Sequence, residues 1–415
     1  MSQLTITEWI MLSEIFRGDE ERCHQLLKSF PEQNILTLDW NQLAEEKRIT
    51  PGQLNRFRKF DMSVAENYEK ECWRKEISII TPDSKEYPTQ LTQYLHPPIV
   101  LYALGDTGLL SAENTLTVVG TRRASEYGRK TAYLMSREVA AKGIVIISGC
   151  AVGIDAASHH GALAAGGKTI AVLGCGMDVN YPAENYRLRK EITAKGGLQI
   201  TEYPPGTKAF GSFFPHRNRL LAGLSRAVLV AEAPYRSGSL ITAEYAVEQG
   251  KEVFCIPPYS IWDANCSGVT RYLRDGATPV FSPADILLHY FTLEPSLLSS
   301  EKFLQAALDY SDQKPGKLSH KAKAAEPASA SSEVQTEQKP QHDSSRWVLP
   351  PQFTDERFRT VFAQLSDKPK VLDELIAACG LPVPELMEIL SELEVVGLVE
   401  NHSGNRYSVK FEPKL

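Results

Sequence analysis

The segment LTVVGTRRASEYG, residues 116–128, sets the fold class of this chain. Its first residues, rich in β-branched side chains, predict a strand that ends at a glycine, and a helix begins near Ser125. This unit recurs to about residue 281. Its strands are apolar throughout, as expected when a sheet is covered on both faces. The sequence therefore predicts an α/β fold with a doubly wound, mostly parallel sheet. Further strands are predicted at residues 144–148, 169–174, 198–202, 227–232 and 252–256.

Changes in composition divide the chain into four predicted parts. Residues 1–75 form a small helical domain, and residues 76–290 form the sheet domain, to which the stretch 77–115 adds two strands. Residues 291–348 form a flexible linker, because most of this stretch has almost no aliphatic residue larger than alanine and cannot offset the entropy of ordering. Residues 349–415 have the helix, turn, helix and hairpin pattern of a winged helix.

The predicted winged helix has helices over residues 370–379 and 384–396, a turn at Gly380, and a hairpin tip at residues 403–405. Its second helix, the candidate recognition helix, carries four glutamates and no cation. Residues 351–415 contain eleven acidic and seven basic residues, a net charge of −4. Duplex DNA would repel such a surface. A winged-helix transcription regulator is therefore kept only as an alternative function.

Charge is distributed unevenly along the chain. The 415 residues carry 45 Lys and Arg against 51 Asp and Glu, a net of −6, which taken alone argues against a nucleic-acid partner. Residues 115–260, however, carry seventeen basic and eleven acidic residues, a net of +6, which leaves −12 for the remainder. Positive charge is therefore concentrated in the predicted sheet domain.

Several classes of protein and site are disfavoured. No apolar run is long enough to cross a bilayer and the start lacks a secretion signal, so we expect a cytoplasmic protein with no membrane partner. Seven scattered cysteines without a CxxC pair argue against a disulfide framework or a zinc site. Asp155, His159 and His160 lack further ligands at useful spacing. We therefore expect no metal, no cofactor and no catalytic residue.

Three glycine-rich turns follow predicted strands, at residues 120–123, 148–155 and 236–239. Strand carboxyl ends share one edge of a parallel sheet, so the turns converge there. Amides at a helix N-terminus bind anions, and an arginine adds a bidentate phosphate donor. Together the turns predict a ligand with several phosphates. The candidate DNA-binding residues in these turns are Gly120, Thr121, Arg122, Arg123, Ser237, Gly238 and Ser239.

The segment KAFGSFFPHRNR, residues 208–219, places three phenylalanines among cationic residues beside the predicted helix RNRLLAGLS. A groove for single-stranded nucleic acid needs charge along the backbone and aromatic faces on which bases stack. The alternative is that Phe213 and Phe214 are core residues that anchor the loop. The candidate DNA-binding residues of this segment are Lys208, Phe214, Arg217, Asn218 and Arg219.

The chain resembles the DNA-processing protein A family (DprA/Smf), strongly over roughly residues 77–290. The resemblance implies an extended Rossmann-like domain, flanked by a small N-terminal helical domain of the SAM or helix-hairpin-helix kind and a C-terminal winged helix. It lies in the stretches VVGTRRASEYG, SGCAVGIDAASHHGAL, TIAVLGCGMDVNYP, FPHRNRLLAGLSRAVLVAEA and SGSLITAEYAVEQGKEVFCIP, in this order.

The same resemblance implies a function and its residues. Members are homodimers that bind single-stranded DNA without sequence specificity, protect it, and load the RecA recombinase during natural transformation and homologous recombination; single-strand-binding protein is a further implied partner. Gly120 and Arg122 match the family's phosphate pocket, residues 214–219 its FPxRNR element, and residues 237–239 its SGS turn. A lysine found in some members falls on Gly211, three positions after Lys208.

An enzyme is the second alternative function. The stretch SGSLITAE, residues 237–244, is similar to the PGGxGTxxE element of nucleotide phosphoribohydrolases, in which a glutamate performs the chemistry. Glu244 would be that residue here. The stretch lacks the double glycine, and the pair Arg217 and Arg219 is better explained by a polymer of phosphates.

Overall fold

The chain, described by a computed structural model, divides into two compact units, Met1–Ser319 and His320–Leu415. Within the described part of the chain, no helix is long and apolar enough to span a membrane. The described residues are 4–93, 96–293, 355–366, 368–382, 385–386, 389–390, 393–394, 398–402 and 406–409.

The first unit is built on one large sheet. Its strands in the described residues are β1 (Ser78–Ile80), β2 (Leu101–Gly105), β3 (Thr115–Val119), β4 (Val145–Ser148), β5 (Thr169–Val172), β6 (Leu198–Thr201), β7 (Ala227–Val230), β8 (Glu252–Cys255) and β9 (Thr278–Pro279). They lie in the order β1-β2-β6-β5-β4-β3-β7-β8-β9. In this spatial order, all strands from β6 through β3 to β9 are parallel to one another. By contrast, β2 is antiparallel to β6, and β1 is antiparallel to β2. All the predicted strands are confirmed.

The direction of strand addition reverses at β3. From β3 the chain continues through β4 and β5 to β6 on one side, and then returns to β7 on the other side. Leu116 of β3 therefore pairs with Ile146 of β4 and with Ala227 of β7. In open α/β sheets such a reversal separates the loops on either side and leaves a ligand crevice beyond the carboxyl ends of the strands.

Helices cover both faces of this sheet, as predicted. Successive residues of β7 point to opposite faces, so Val228 packs with Leu220 and Leu240, while Leu229 packs with Val139 and Ile286. The helices that follow β3 are α6 (Glu126–Ala140), α7 (Ile154–Ala164), α8 (Tyr186–Ala194), α9 (Phe213–Leu224), α10 (Leu240–Glu248), α11 (Ser267–Arg274) and α12 (Pro283–Leu293). The predicted linker therefore begins inside α12, and residues 294–348 lie outside the described residues.

The N-terminal segment is helical, as predicted, and belongs to the same unit as the sheet. Capping boxes begin two of its helices, Thr5 with Glu8 and Thr50 with Gln53. The core of this segment includes Trp40, which stacks on Phe57 with 3.8 Å between ring centroids. The helices are α1 (Ile6–Ile15), α2 (Glu20–Ser29), α3 (Trp40–Glu45), α4 (Pro51–Lys59) and α5 (Met62–Arg74).

The second unit has the order of elements of a winged helix. Its described elements are α13 (Glu356–Gln364), β10 (Lys370–Val371), α14 (Leu372–Cys379), β11 (Val399–His402) and β12 (Arg406–Val409). The helix predicted from residue 370 begins at Leu372 instead, because Lys370 and Val371 pair with β12. The described residues of the second predicted helix are helical, and its apolar ones, such as Leu386 and Leu390, are buried. The predicted hairpin tip lies outside the described residues.

Candidate nucleic-acid interface

A cleft of about 370 Å³ lies at the carboxyl ends of β3, β4 and β5, where the strand order reverses. Arg122 from the first predicted turn, Gly149 from the second, and Phe214 from α9 all line it. Gly174 and Tyr181, from the loop between β5 and α8, also line the cleft. The structure therefore brings together residues from two of the three glycine turns and from the FPxRNR element.

The cleft combines a cation with aromatic rings. The guanidinium carbon of Arg122 lies 5.0 Å from the centroid of the Phe214 ring, within the range of a cation–π interaction. The ring of Tyr181 lies 5.4 Å from that of Phe214, with the planes 37° apart. Arg122 and its neighbour Arg123 are exposed, and Phe214 is half-buried. This arrangement offers a positive charge and accessible aromatic surface side by side.

Phe213 and Phe214 have different surroundings. Phe213 stacks on Tyr203, with 4.1 Å between centroids, and meets the edge of Phe210 at 5.4 Å. Phe213 thus has the anchoring contacts expected of the core alternative, although it is only half-buried. Phe214, in contrast, lines the cleft.

An internal carboxylate shapes the first turn. Ser125 caps α6 by accepting a hydrogen bond from the Gly128 amide at 3.0 Å, and its own hydroxyl donates to Glu232 at 2.5 Å. The Ser125 amide also donates to Glu232, at 3.0 Å, and the Thr121 amide donates to the Glu232 carbonyl at 2.7 Å. The anion site expected from amides at this helix start is thus partly filled by a buried side chain of the protein, while the side chains of Arg122 and Arg123 are exposed.

Arg217 lies behind the cleft and is buried. Its guanidinium donates to the carbonyl of Gly149 at 3.0 Å and to the carbonyl of Val172. It faces Asp155, whose carboxylate accepts the amides of Gly149 at 3.1 Å and Ala151 at 3.3 Å. Burial raises the pKa of Asp155 to about 6, against the opposing charge of Arg217. The pair fixes the turn after β4.

Two glycines make room for side chains of α9. An added Cβ at Gly149 would lie 2.7 Å from the guanidinium carbon of Arg217. At Gly174 it would lie 2.7 Å from a ring carbon of Phe214. Both distances are well below van der Waals contact. The glycine turns therefore admit the two side chains that line and support the cleft.

Arg219 and Asn218 point elsewhere. Arg219 is buried and binds Glu202 through two nitrogens, at 2.6 and 2.5 Å, while its Nε donates to the His96 carbonyl at 3.0 Å. Asn218 donates to the Gly238 carbonyl at 2.9 Å and so ties α9 to the SGS turn. The predicted DNA contacts of Arg217, Asn218 and Arg219 stay predictions, and the structure gives all three residues partners within the protein.

The remaining predicted residues lie on exposed or half-exposed loops. Lys208 is exposed on the segment that leads into α9, and an added Cβ at Gly211 would meet no atom within 4 Å. The hydroxyls of Ser237 and Ser239 lie 2.7 Å apart in the turn before α10. The helix predicted to begin at Arg217 begins earlier, at Phe213, because Pro215 falls in its first turn, where a missing N–H costs nothing.

Sequence reasoning missed Tyr181 and Glu232. Tyr181 follows a glycine turn at the end of β5, and its position at the convergent edge of the sheet was a usable signal. Glu232 ends the run AVLVAE two residues past β7, but only the folded chain shows that it reaches Ser125. His159, one of the residues weighed as a metal ligand, is buried, and its Nδ1 lies 2.7 Å from Oγ1 of Thr169. Burial lowers the pKa of His159 to about 3.

Two family models match the chain. The model described as DNA recombination-mediator protein A matches residues 78–291, and the one described as DprA winged helix domain matches residues 349–405. Protein Smf of Synechocystis sp. is 32% identical over 367 residues, which span 86% of this chain and 84% of that protein. DNA processing protein DprA of Bacillus subtilis is 41% identical over 210 residues, spanning 51% of this chain and 70% of that protein.

A solved structure has the same fold. The X-ray structure of DNA processing protein A from Streptococcus pneumoniae is 33% identical and superposes with a TM-score of 0.61, covering 69% of this chain and 98% of its own. These matches confirm the predicted fold class, with its extended α/β sheet domain and its C-terminal winged helix.

Proposed function

The chain belongs to the DNA recombination-mediator protein A family, and on that premise we propose that it binds single-stranded DNA in the cleft at the carboxyl ends of β3, β4 and β5. The observation that carries this proposal is the placement of the Arg122 guanidinium over the Phe214 ring. Binding of a single strand requires charge for phosphates and ring faces for bases. The cleft supplies both, and Tyr181 adds a second ring.

We assign the phosphate contacts to exposed cations and a supporting role to buried ones. Arg122, Arg123 and Lys208 are exposed; Arg122 lines the cleft, and Lys208 lies on the segment that leads into α9. Arg217 and Arg219 are buried with partners in the protein, so we infer that they hold the loop after β4 and the start of α9 in position. The net charge of +6 over residues 115–260 supports this unit as the DNA-binding one.

The proposed activity is independent of base sequence. A guanidinium and two aromatic rings bind phosphates and ring faces, which every nucleotide has. From the family we further propose that the bound strand is protected and passed to the RecA recombinase during natural transformation and homologous recombination, with single-strand-binding protein as another partner. We propose that the protection of the strand and its transfer to RecA take place in the cytoplasm.

We also propose that the protein acts as a homodimer. Tyr259, Ile261 and Trp262 follow β8 on one loop and are 82%, 76% and 87% exposed. Large apolar side chains grouped at a surface are typical of association sites. We propose that a second copy of the chain covers these three side chains, since the family resemblance implies a homodimer.

The alternative functions receive less support. Glu244, the residue required of a phosphoribohydrolase, is exposed on α10, and within the described residues it is not among those that line the cleft. We therefore propose that the protein is not an enzyme. A winged-helix regulator would need the second unit to bind a duplex, and that segment has a net charge of −4.

The proposal is tested by the affinity of oligo-dT for the wild type, Arg122→Ala and Arg274→Ala. Loss of a charge-assisted phosphate contact should weaken binding by on the order of 1 to 3 kcal/mol. For single strands, each phosphate contact contributes about 0.7 to the slope of log K against log salt, so Arg122→Ala should reduce that slope by about this amount. Arg274 serves as the control. It is exposed on the last turn of α11, the helix that leads into β9 at the end of the strand order. Equal affinities for all three proteins would refute the site.

A further inference from the structure

Three side chains with metal-ligand atoms meet where the N-terminal helices pack on the sheet domain. They are Glu20 at the start of α2, Glu202 just after β6, and His216 in the first turn of α9. One ligand atom from each of the three side chains lies within 4.8 Å of the other two. Nε2 of His216 lies 3.4 Å from Oε1 of Glu20 and 3.9 Å from Oε2 of Glu202. Among the residues that the structure describes, this is the one such group of three.

The spacing of these atoms suits a tetrahedral cation. Zinc bonds to nitrogen and oxygen of about 2.0 to 2.2 Å place neighbouring ligand atoms roughly 3.3 to 3.5 Å apart. The atoms of His216 and Glu20 already have this separation, whereas the Glu202 oxygen lies 3.9 Å from His216 and within 4.8 Å of the Glu20 oxygen, so Glu202 must move closer when an ion binds. A cavity of about 20 Å³ lies among the three side chains. A single water needs about 10 to 15 Å³ by this kind of measure, so one small ligand fits.

The Glu20 carboxylate provides independent support. Glu20 is only 6% exposed. Its Oε1 accepts the Gly18 amide at 2.8 Å, but its Oε2 is buried and has no hydrogen-bond partner within the described part of the chain. A buried carboxylate oxygen without a partner is costly, and a bound cation would remove that cost.

Arg219 orients one of the ligands. It holds both oxygens of Glu202, at 2.6 and 2.5 Å, as the outer partners of metal-binding carboxylates commonly do. The Glu20 and Glu202 carboxylates and the Arg219 guanidinium together carry one net negative charge, and Arg17, which also lines the cavity, is paired with Glu14. A divalent cation would compensate that charge. An imidazole with carboxylates suits Zn²⁺, whereas Mg²⁺ prefers oxygen ligands and water.

We propose that Glu20, Glu202 and His216 bind one Zn²⁺ ion, with water as the fourth ligand. The three ligands come from α2, the end of β6 and α9, and Glu20 of α2 is far from the other two in the chain. The ion therefore binds the folded protein and joins the N-terminal helices to the helix that carries Phe214 and Arg217. The His216 side chain is 30% exposed and leaves a path for the ion. The site goes beyond DNA binding, and its test uses no DNA.

The experiment is calorimetric titration of the chelator-treated full chain with zinc chloride alone. We expect one Zn²⁺ per chain with micromolar or tighter affinity, a rise in Tm with zinc, and no competition from Mg²⁺. Glu20→Gln and His216→Asn should each weaken binding by about tenfold or more, by analogy with metal-site variants. His160→Asn removes an exposed histidine of α7 outside the cluster and should leave binding unchanged. Cobalt bound in place of zinc should give the visible absorption of a tetrahedral site.

Two results would overturn the proposal. One is a folded wild type that binds no zinc at micromolar concentration. The other is equal zinc affinity in the wild type and in folded Glu20→Gln, with circular dichroism used to confirm folding. Because oligo-dT binding is measured separately, failure of the zinc site and failure of the DNA site are distinguishable.

Discussion

Replacing Gly149 with alanine tests whether the glycine turn after β4 is needed to admit Arg217. The added Cβ would lie 2.7 Å from the guanidinium carbon of Arg217, and either the turn or the arginine must then move. No left-handed backbone angle is required at Gly149, so alanine suits the backbone and the effect is steric.

The magnitude follows from the surroundings of Arg217. The side chain is buried, and moving it loosens its hydrogen bonds to the carbonyls of Gly149 and Val172. Overpacking of a well-packed site costs about 1 to 3 kcal/mol. Weakening a hydrogen bond of a charged group adds about 1 to 2 kcal/mol. We therefore expect Gly149→Ala to lower the free energy of unfolding by about 2 to 5 kcal/mol.

The assay is urea unfolding followed by tryptophan fluorescence, with Gly211→Ala as the control. An added Cβ at Gly211 meets no atom within 4 Å, so its effect should stay within about 1 kcal/mol. In an Arg217→Ala background the clashing atoms are absent, and Gly149→Ala should then cost less than about 1 kcal/mol. An equal cost of Gly149→Ala in both backgrounds would refute the steric explanation.

Two further substitutions probe the loops around the cleft. Because the folded-state pKa of Asp155, about 6, exceeds its ordinary value of 3.8, its protonation stabilises the fold below about pH 4, and this contribution is lost as pH rises through about 6. Between about pH 4 and pH 7 the free energy of unfolding of the wild type should therefore fall by on the order of 2 to 3 kcal/mol more than that of Asp155→Asn. Urea unfolding at several pH values measures both, and the same pH dependence in the two proteins would contradict this. Ser125→Ala removes the cap of α6 and a donor to Glu232, so it should cost about 1 to 2 kcal/mol and lower Tm by several degrees; an unchanged Tm would contradict the assigned cap.

Local patterns were enough to predict the sheet and several helix starts. The strand at residues 116–119 is apolar because helices cover both of its faces, and Ser125 is recognisable as a cap because its hydroxyl serves its own helix. The turns at the convergent edge were predictable for the same reason, since parallel strands bring their carboxyl ends together. The confirmed fold follows from these short-range signals.

The two arginines of the FPxRNR element have different surroundings, which the predicted helix did not reveal. Residues two apart on a helix point about 200° away from each other, so Arg217 and Arg219 cannot face the same groove. A start at Phe213 sends Arg217 behind the cleft and Arg219 toward Glu202. The sequence already placed both arginines in the predicted helix RNRLLAGLS, but it did not show which partner each of them meets.

Contacts between distant segments were beyond sequence reasoning. Glu232 lies 107 residues from Ser125, and no spacing rule connects a strand-end glutamate with that particular helix start. The same applies to Glu20 and His216, whose meeting depends on how the N-terminal helices pack against the sheet domain. The expectation of no metal site rested on ligands close in sequence, which these are not.

The most direct test of the DNA-binding cleft is ultraviolet cross-linking of oligo-dT to the full chain, followed by mass spectrometry of the peptides. Thymine stacked on an aromatic ring at the cleft should cross-link to peptides that contain Phe214 or Tyr181, and Arg122→Ala should reduce the yield. Cross-links confined to the winged helix, residues 349–405, would contradict the assignment of the strand to the sheet domain.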